Sequence, residues 1–312
     1  MKRRNFLRHI SSIVIAFFVF LSIISSQNMT DVSDTVELTE TQQPLTQQPD
    51  SDVESTLEVH FLDVGQGDAT LLMCDGEYML IDTGDSTNGT FIQNYLQKRG
   101  IERLKYLVLT HPDADHIGSA AVVITKFDID NIFMSYFQKN NKTYEGLMAS
   151  ISYKNASWKT PSAGEKYTLG QAVITIIAPN DVYENPNDTS IGLLVTHGAN
   201  TFLFTGDAEE TAEEDILNNG IDISSVVYQV GHHGSKTSSS EKFLEAVSPE
   251  FAVISCGEGN SYGHPHADTL NKLRSMGVKV FRTDEQGSIV AVSDKTQLSW
   301  SVPPSESWQS GN

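Results

Sequence analysis

The 312-residue sequence predicts a mixed α/β domain in which two β-sheets pack face to face with helices outside. Two observations carry this. Residues 57–64, 69–73 and 78–81 are short runs of strand pattern joined by glycine-containing turns, which read as hairpins. The plan strand, Thr-Gly-Asp, helix, glycine, strand, histidine then occurs twice, with Asp85 to His111 and Asp207 to His233 both 26 residues apart. A duplicated unit of this kind brings strand ends from both halves to one shared edge. A chance echo of two βαβ-like stretches is the alternative.

Taken in order, the chain opens on Lys2, Arg3, Arg4 and Arg8, then an apolar run over 13–24 broken only by Ser22, then Ser25 and Ser26. A positive region, a short apolar region and a small-residue exit predict a secretory signal peptide over 1–27. An uncleaved anchor is the alternative, although the run falls short of the ~20 residues of a comfortable span. Either reading places the remainder outside the cell or on the outer face of the membrane. No cysteine follows the run, which speaks against a lipoprotein. Residues 28–57 hold Thr, Gln, Pro, Asp, Glu and Ser with no lysine or arginine, the composition of a disordered acidic linker.

A single globular domain is expected over 58–300, with a flexible tail over 301–312. In its first half the third strand ends in Asp82-Thr83-Gly84-Asp85, a helical pattern over 91–98 closes at Gly100, and a strand over 106–109 follows. In the second half, 173–177, 192–196 and 202–204 read as strands. The last runs into Thr205-Gly206-Asp207, a helical pattern over 211–217 closes at Gly220, and the strand over 226–230 meets Gly231-His232-His233-Gly234. The net charge of −19 argues against broad electrostatic capture of nucleic acid or anionic membrane. Two cysteines, Cys74 and Cys256, allow one disulfide or two buried thiols and exclude a disulfide scaffold.

The chemistry concentrates in HPDADH, residues 111–116. Four acids and imidazoles at a strand exit cannot all enter a core, because unpaired buried carboxylates cost several kcal/mol each; standing free in water is the alternative to a ligand role. Their spacing suits two metals, His111 and Asp113 projecting one way and Asp115 and His116 the other. A catalytic ion needs about three protein ligands and a free position. Asp207, His232 and His233 are the candidates to complete the set.

HPDADH, LFTGD, QVGHHGS and NSYGHPH, with the opening VHFLDVGQGDATLL, resemble the metallo-β-lactamase superfamily, and most closely the hydrolase domain of competence proteins of the ComEC/Rec2 type. The resemblance covers residues 58–292. It implies an αββα four-layer sandwich with a dinuclear site at one edge. It implies that His111 and Asp113 hold one ion, Asp115 and His116 the other, and that Asp207 bridges them. One of His232 and His233 is then a ligand of the second ion. The 26-residue echo favours His233, a one-residue slip between the halves favours His232, and the remaining histidine touches substrate. Asp82 is either the group that orients a ligand histidine or metal water, or an N-cap.

Two positions depart from the superfamily pattern. Asp113 stands where the common motif has histidine, and Asn187 where a third histidine holds the first ion. A site poorer in nitrogen suits a harder ion such as Mn²⁺, with Zn²⁺ at both positions the simplest expectation. In the GHP loop, His264 is the candidate leaving-group acid or oxyanion donor, and a turn without catalytic duty is the alternative. Ser235, Ser238, Ser239 and Ser240 offer hydroxyls to phosphate oxygens, while Ser239 or Ser240 also suits an N-cap before a helix near Glu241. No base and orienting group accompany these serines, so the expected nucleophile is metal-bound water, with Asp115, His232 and His264 as the catalytic side chains.

The expectation is an exported dinuclear hydrolase acting on phosphodiesters, either single-stranded DNA or small or cell-wall phosphodiesters. The alternatives are an amide or lactone hydrolase, or a non-catalytic module associated with DNA uptake. Lys236 is the one cation expected beside the catalytic loops and Tyr262 the one stacking surface. No obligate protein partner is indicated, and the N-terminal segment could anchor the chain to a membrane.

Overall fold

Residues 55–311 are described by the computed structural model. The expected signal peptide or anchor, and the expected linker up to residue 54, lie outside the described residues. From β1 (Leu57–Phe61) the chain passes through β2 (Thr70–Cys74), β3 (Glu77–Ile81), α1 (Gly89–Gln97) and β4 (Arg103–Leu109) to the single-turn α2 (Ala114–Ile117). Then come α3 (Ala120–Lys126), β5 (Asp128–Met134), α4 (Lys142–Tyr153) and β6 (Trp158–Lys159). The second half holds β7 (Lys166–Leu169), β8 (Ala172–Ala178), β9 (Gly192–His197), β10 (Asn200–Phe204), α5 (Glu210–Asn218), β11 (Val227–Gln229) and α6 (Glu241–Val247). It closes with β12 (Phe251–Ile254), α7 (Ala267–Ser275), β13 (Lys279–Arg282), α8 (Thr283–Gln286), β14 (Ile289–Ser293) and β15 (Leu298–Trp300).

One sheet has the order β15-β14-β1-β2-β3-β4-β5-β6 and the other β13-β12-β11-β10-β9-β8-β7. Alternation along the strands builds the layers. Val59, Leu72, Met79 and Ile81 of the first sheet meet Ile174, Leu193, Val195 and Phe202 of the second in a buried layer between the sheets. Leu71, Leu80, Leu107 and Leu109 turn the opposite way, onto Ile92 and Leu96 of α1, Val123 of α3 and Leu147 of α4. Leu203, Tyr228, Ala252 and Ile254 turn outward from the second sheet onto Ile216 of α5, Phe243 of α6 and Leu270 of α7. Each such side chain contributes about 1.5–3 kcal/mol when fully buried. The result is the four-layer αββα sandwich.

Both expected repeats are parallel βαβ units. β3 pairs with β4, Ile81 opposite Val108, and β10 pairs with β11, Phe204 opposite Gln229. The carboxyl ends of these strands open on one edge, the usual place for a site in such sheets. Helix α1 buries Ile92 and Leu96, one turn apart, and gives way to Gly100 at φ +69°. Ser240 caps α6 by accepting the Phe243 amide at 3.4 Å.

Two expectations meet a different local structure, and one open alternative is decided. The linker stops short of Ser55, which is buried and bonded to Asp75 Oδ2 (2.8 Å) and His197 Nε2 (2.9 Å). Residues 301–311, expected as a flexible tail, carry no regular element but are docked: Ser305 donates its amide to Val280, Arg282 donates to the Gln309 carbonyl, and Trp308 packs on the α7 side of the core. Both cysteines are buried free thiols in different core layers. No helix among the described residues is long and apolar enough to cross a membrane.

Candidate metal centre

Five strand ends feed the cluster. β3 delivers Asp82, β4 delivers Thr110 and His111, β10 delivers Asp207, β11 delivers His232 and His233, and the turn after β1 delivers Asp68. The loops are sewn together by backbone bonds: Thr83 N to the His116 carbonyl (2.7 Å), Gly84 N to Asp68 (2.8 Å), Asp68 N to Asp115 (3.2 Å) and Ile191 N to Thr110 (3.0 Å). Gly67, at φ +137°, packs so closely on this ligand loop that a Cβ there would stand 2.3 Å from the Asp115 carbonyl oxygen. Asp113 precedes α2, so Asp115 and His116 sit on a helical turn while His111 and Asp113 remain on the loop.

Asp68, His116, Asp207 and His233 are all buried, and one donor atom from each lies within 4.8 Å of the others. His116 Nδ1 donates to Asp82 Oδ2 at 2.8 Å, and Asp82 also accepts the Thr110 amide (2.8 Å) and hydroxyl (2.6 Å). His233 Nδ1 donates to the Ser255 carbonyl at 3.0 Å. Both rings thus turn Nε2 inward, and the two Nε2 atoms face each other at 3.3 Å. With both Nδ1 hydrogens committed, only a proton or another cation between them makes that approach favourable. The same separation is the edge of a tetrahedron with metal–nitrogen arms of about 2.0–2.1 Å. Asp207 Oδ1 lies 3.2 Å from His116 Nε2 and 3.7 Å from His233 Nε2, and Asp115 Oδ2 lies 3.5 Å from His233 Nε2.

Electrostatics agree with a cation-seeking pocket. Burial opposes charge on His116, yet the Asp207 and Asp82 carboxylates raise it well above an ordinary histidine; burial likewise opposes charge on His233, which Asp207 and Asp68 raise. Burial pushes the Asp207 carboxyl up, but His116, His233 and His111 hold it well below the usual range. His111 is driven the other way, by burial and by His116, and stays neutral. Its Nδ1 meets the Thr110 hydroxyl at 3.2 Å, whose own hydrogen goes to Asp82, so Nε2 carries a free lone pair. His111 Nε2 and Asp207 Oδ1 are buried without a hydrogen-bond partner among the described residues. Orphaned acceptors of this kind fit a metal ion.

The outer side is looser. His111 Nε2 is 3.7 Å from Asp113 Oδ1 and from Asp207 Oδ2, and His232 Nε2 is 3.6 Å from Asp207 Oδ2. Asp113 has a 32% exposed side chain and is ion-paired with Lys139. Asn187 does not join the cluster: its amide donates to Glu209 Oε1 at 3.1 Å, a carboxylate that also receives Thr237 (3.1 Å) and lies 3.4 Å from His232 Nδ1. His232 and His233 both adopt left-handed backbone, at φ 53° and 55°, as does Asp82 at φ 56°. For side chains other than glycine this is strained, and such strain gathers at functional sites.

The structure therefore brings His111, Asp113, Asp115, His116, Asp207, His232 and His233 to one place. Asp82 holds His116, and the N-cap of α1 is Asn88, so the capping alternative for Asp82 falls away. The four serines are otherwise engaged. Ser238 donates to the Ala208 carbonyl, Ser239 Oγ meets Tyr228, Ser240 caps α6 and Ser235 Oγ meets Thr237, so phosphate finds no free hydroxyl row there. His264 is buried at the rim, its ring 5.6 Å from that of His232 and stacked at 5.6 Å on the exposed Tyr262. Burial and the neighbouring His233, His232 and His266 lower its pKa to about 4, so at neutral pH it is an uncharged N–H donor. The Gln66 amide meets its Nδ1 at 3.5 Å, leaving Nε2 to carry the hydrogen. Sequence reasoning missed Asp68, Glu209 and Lys139. Asp68 had a signal, an acid directly after a glycine turn at a strand exit, like the two Thr-Gly-Asp steps.

The sequence model of the metallo-beta-lactamase superfamily matches residues 62–258. Recombination protein 2 of Haemophilus influenzae is 33% identical over 240 residues, 75% of this chain and 28% of its own length. Competence protein ComA of Neisseria gonorrhoeae is 33% identical over 243 residues (77% and 33%), and ComE operon protein 3 of Bacillus subtilis 28% over 251 residues (74% and 32%). The chain spans about a third of the length of these curated relatives. Among solved structures, Igni18, a metallo hydrolase from Ignicoccus hospitalis, superposes with a TM-score of 0.53 at 15% identity, covering 75% of this chain and 98% of its own. The metallo-beta-lactamase fold protein YhfI of Bacillus subtilis gives 0.51 at 11% identity, covering 76% and 100%. Both speak for the fold alone.

Proposed function

The chain belongs to the metallo-β-lactamase superfamily, and from that premise we propose that it is an exported metal-dependent hydrolase of phosphodiester bonds. One observation carries the proposal: two buried histidines, each fixed by a hydrogen bond at Nδ1, turn their Nε2 atoms toward Asp207 at the edge where both βαβ units end. His116, His233, Asp115 and Asp207 would hold a divalent ion, with Asp68 beside them, and this nitrogen and oxygen set suits zinc. His111, Asp113 and Asp207 frame a second, poorer position. A bound ion supplies Lewis acidity toward a phosphoryl oxygen and a more acidic water.

The chain's own groups do the rest. Asp82 fixes the His116 tautomer, Asp207 joins the two positions, and Asp115 and His232 line the space where substrate enters. His264, neutral at pH 7, donates a hydrogen bond from Nε2 to the departing or developing oxyanion and suits that role better than proton delivery. Relatives named for competence and recombination support a nucleic-acid substrate. The net charge of −19 supports a weakly held single strand rather than a tightly held duplex, with small or cell-wall phosphodiesters as the other members of the class. The basic and apolar N-terminal run supports export.

The test compares cleavage of labelled single-stranded DNA and of bis-p-nitrophenyl phosphate by the metal-loaded chain across a salt series. Metal-dependent cleavage of the small diester is expected at all salt concentrations, with strand cleavage fading as salt rises. Inertness toward both, with metal bound, would move the assignment to amide or lactone hydrolysis.

A further inference from the structure

One ligand of the outer position is already paired with a cation. Asp113 Oδ1 faces His111 Nε2 at 3.7 Å, and that same oxygen receives the Lys139 ammonium. Lys139 comes from the segment between β5 and α4, and its side chain is 26% exposed. Half-shielded pairs of this kind are ordinarily worth little. Two surroundings set this one apart. Its carboxylate stands 3.7 Å from His111 Nε2, a buried acceptor without a partner among the described residues. The residue that could supply a further ligand, Asn187, is turned away onto Glu209.

We infer that Lys139 takes the place of one metal ion: the centre rests with a single divalent ion on the inner side, and the Lys139 ammonium is the cation that meets the second anionic oxygen of a phosphodiester. This rests on the metal-hydrolase reading above. An ammonium on a flexible four-carbon stem can leave Asp113 for a phosphoryl oxygen, where a fixed ion cannot. It also occupies an oxygen that a second ion would need, so it competes with that ion directly. The outer position is thereby weakened twice, by the missing histidines and by a resident positive charge.

The test is metal counting on the full chain after dialysis against low micromolar Mn²⁺ or Zn²⁺, by elemental analysis and by the Mn²⁺ electron paramagnetic resonance spectrum. Wild type is expected to retain one ion per chain with an uncoupled Mn²⁺ spectrum. Lys139→Met, similar in length and uncharged, is expected to retain close to two with a spin-coupled spectrum, its affinity for the outer ion rising about tenfold, equivalent to ~1.4 kcal/mol. Lys139→Arg is expected to stay at one. With one ion bound, Lys139→Met should raise KM for bis-p-nitrophenyl phosphate more than it lowers kcat. Two ions retained by wild type, or one retained by Lys139→Met under excess Mn²⁺, would overturn the inference and leave the hydrolase reading intact. No ion in any of the three proteins would overturn both.

Discussion

The inner side of the cluster, around His116 and His233, and the outer side, around His111 and Asp113, share the Asp207 carboxylate but differ in what holds their donors. Inside, each imidazole is locked at Nδ1, by Asp82 or by the Ser255 carbonyl, and every donor is buried except Asp115. Outside, Asp113 is one-third exposed and tied to Lys139, and Asn187 serves Glu209. Preorganised donors lose little freedom when an ion arrives, whereas the outer donors must first give up other partners. The lesson is that one shared edge of one fold can hold a committed metal position beside a negotiable one.

Removing the shared group should have the largest effect. Asp207→Ala takes a carboxylate from both sides, so ion affinity should fall by more than the roughly 10–100-fold that loss of an orienting partner costs. Turnover should disappear while the circular dichroism spectrum remains that of the folded protein. An Ala variant that still retains its inner ion after dialysis would show that the inner side does not depend on Asp207.

At the rim, His264→Gln should lower kcat by about 10²-fold, the cost of one oxyanion donor, and leave the metal count unchanged. With a pKa near 4 the imidazole is neutral above that pH and becomes charged only below it. The ratio of wild-type to variant rates should therefore be flat from pH 6 to 9, a range taken about two units clear of that value. A ratio that climbs on acidification would make the imidazolium the working form.

The smallest effect sharpens the comparison most. Asp82→Asn should weaken the inner ion about 10–100-fold, because the amide cannot hold His116 in the same way. His111→Asn, made on the outer side, should leave the inner ion in place by the same dialysis measurement. If the two variants behaved alike, the inner and outer sides would not differ as their hydrogen bonds indicate.

Much of this could be read from residues alone where a local rule applied. The β3-α1-β4 and β10-α5-β11 units were legible because period-two runs ended in Thr-Gly-Asp and each helix closed on a glycine. The ligand motif was legible because its residue types have no business in a core. β5 was not, since Asp128 and Asp130 to Asn131 leave its first half solvated and erase the alternation. Asp68 carried only a weak signal, an acid after a glycine turn, because Gly65-Gln66-Gly67 also has the composition of an ordinary turn; the packing of Gly67 on Asp115 shows why the turn is there. Lys139 had no local signal at all: it meets Asp113 only because β5 and β4 are parallel neighbours, so that the loops after them emerge side by side.

The left-handed backbone at His232 and His233 bears on anyone who would make this protein hardier. Glycine accepts those angles freely, so at the partly exposed His232 a screen that rewards melting temperature would favour it by of order 1 kcal/mol, whereas at the buried His233 the cavity left by the imidazole opposes that gain. The winners of such a screen would be heat-resistant shells missing an imidazole that faces Asp207. Library design on this scaffold should hold positions 232 and 233 fixed and look for robustness in the outer helices instead.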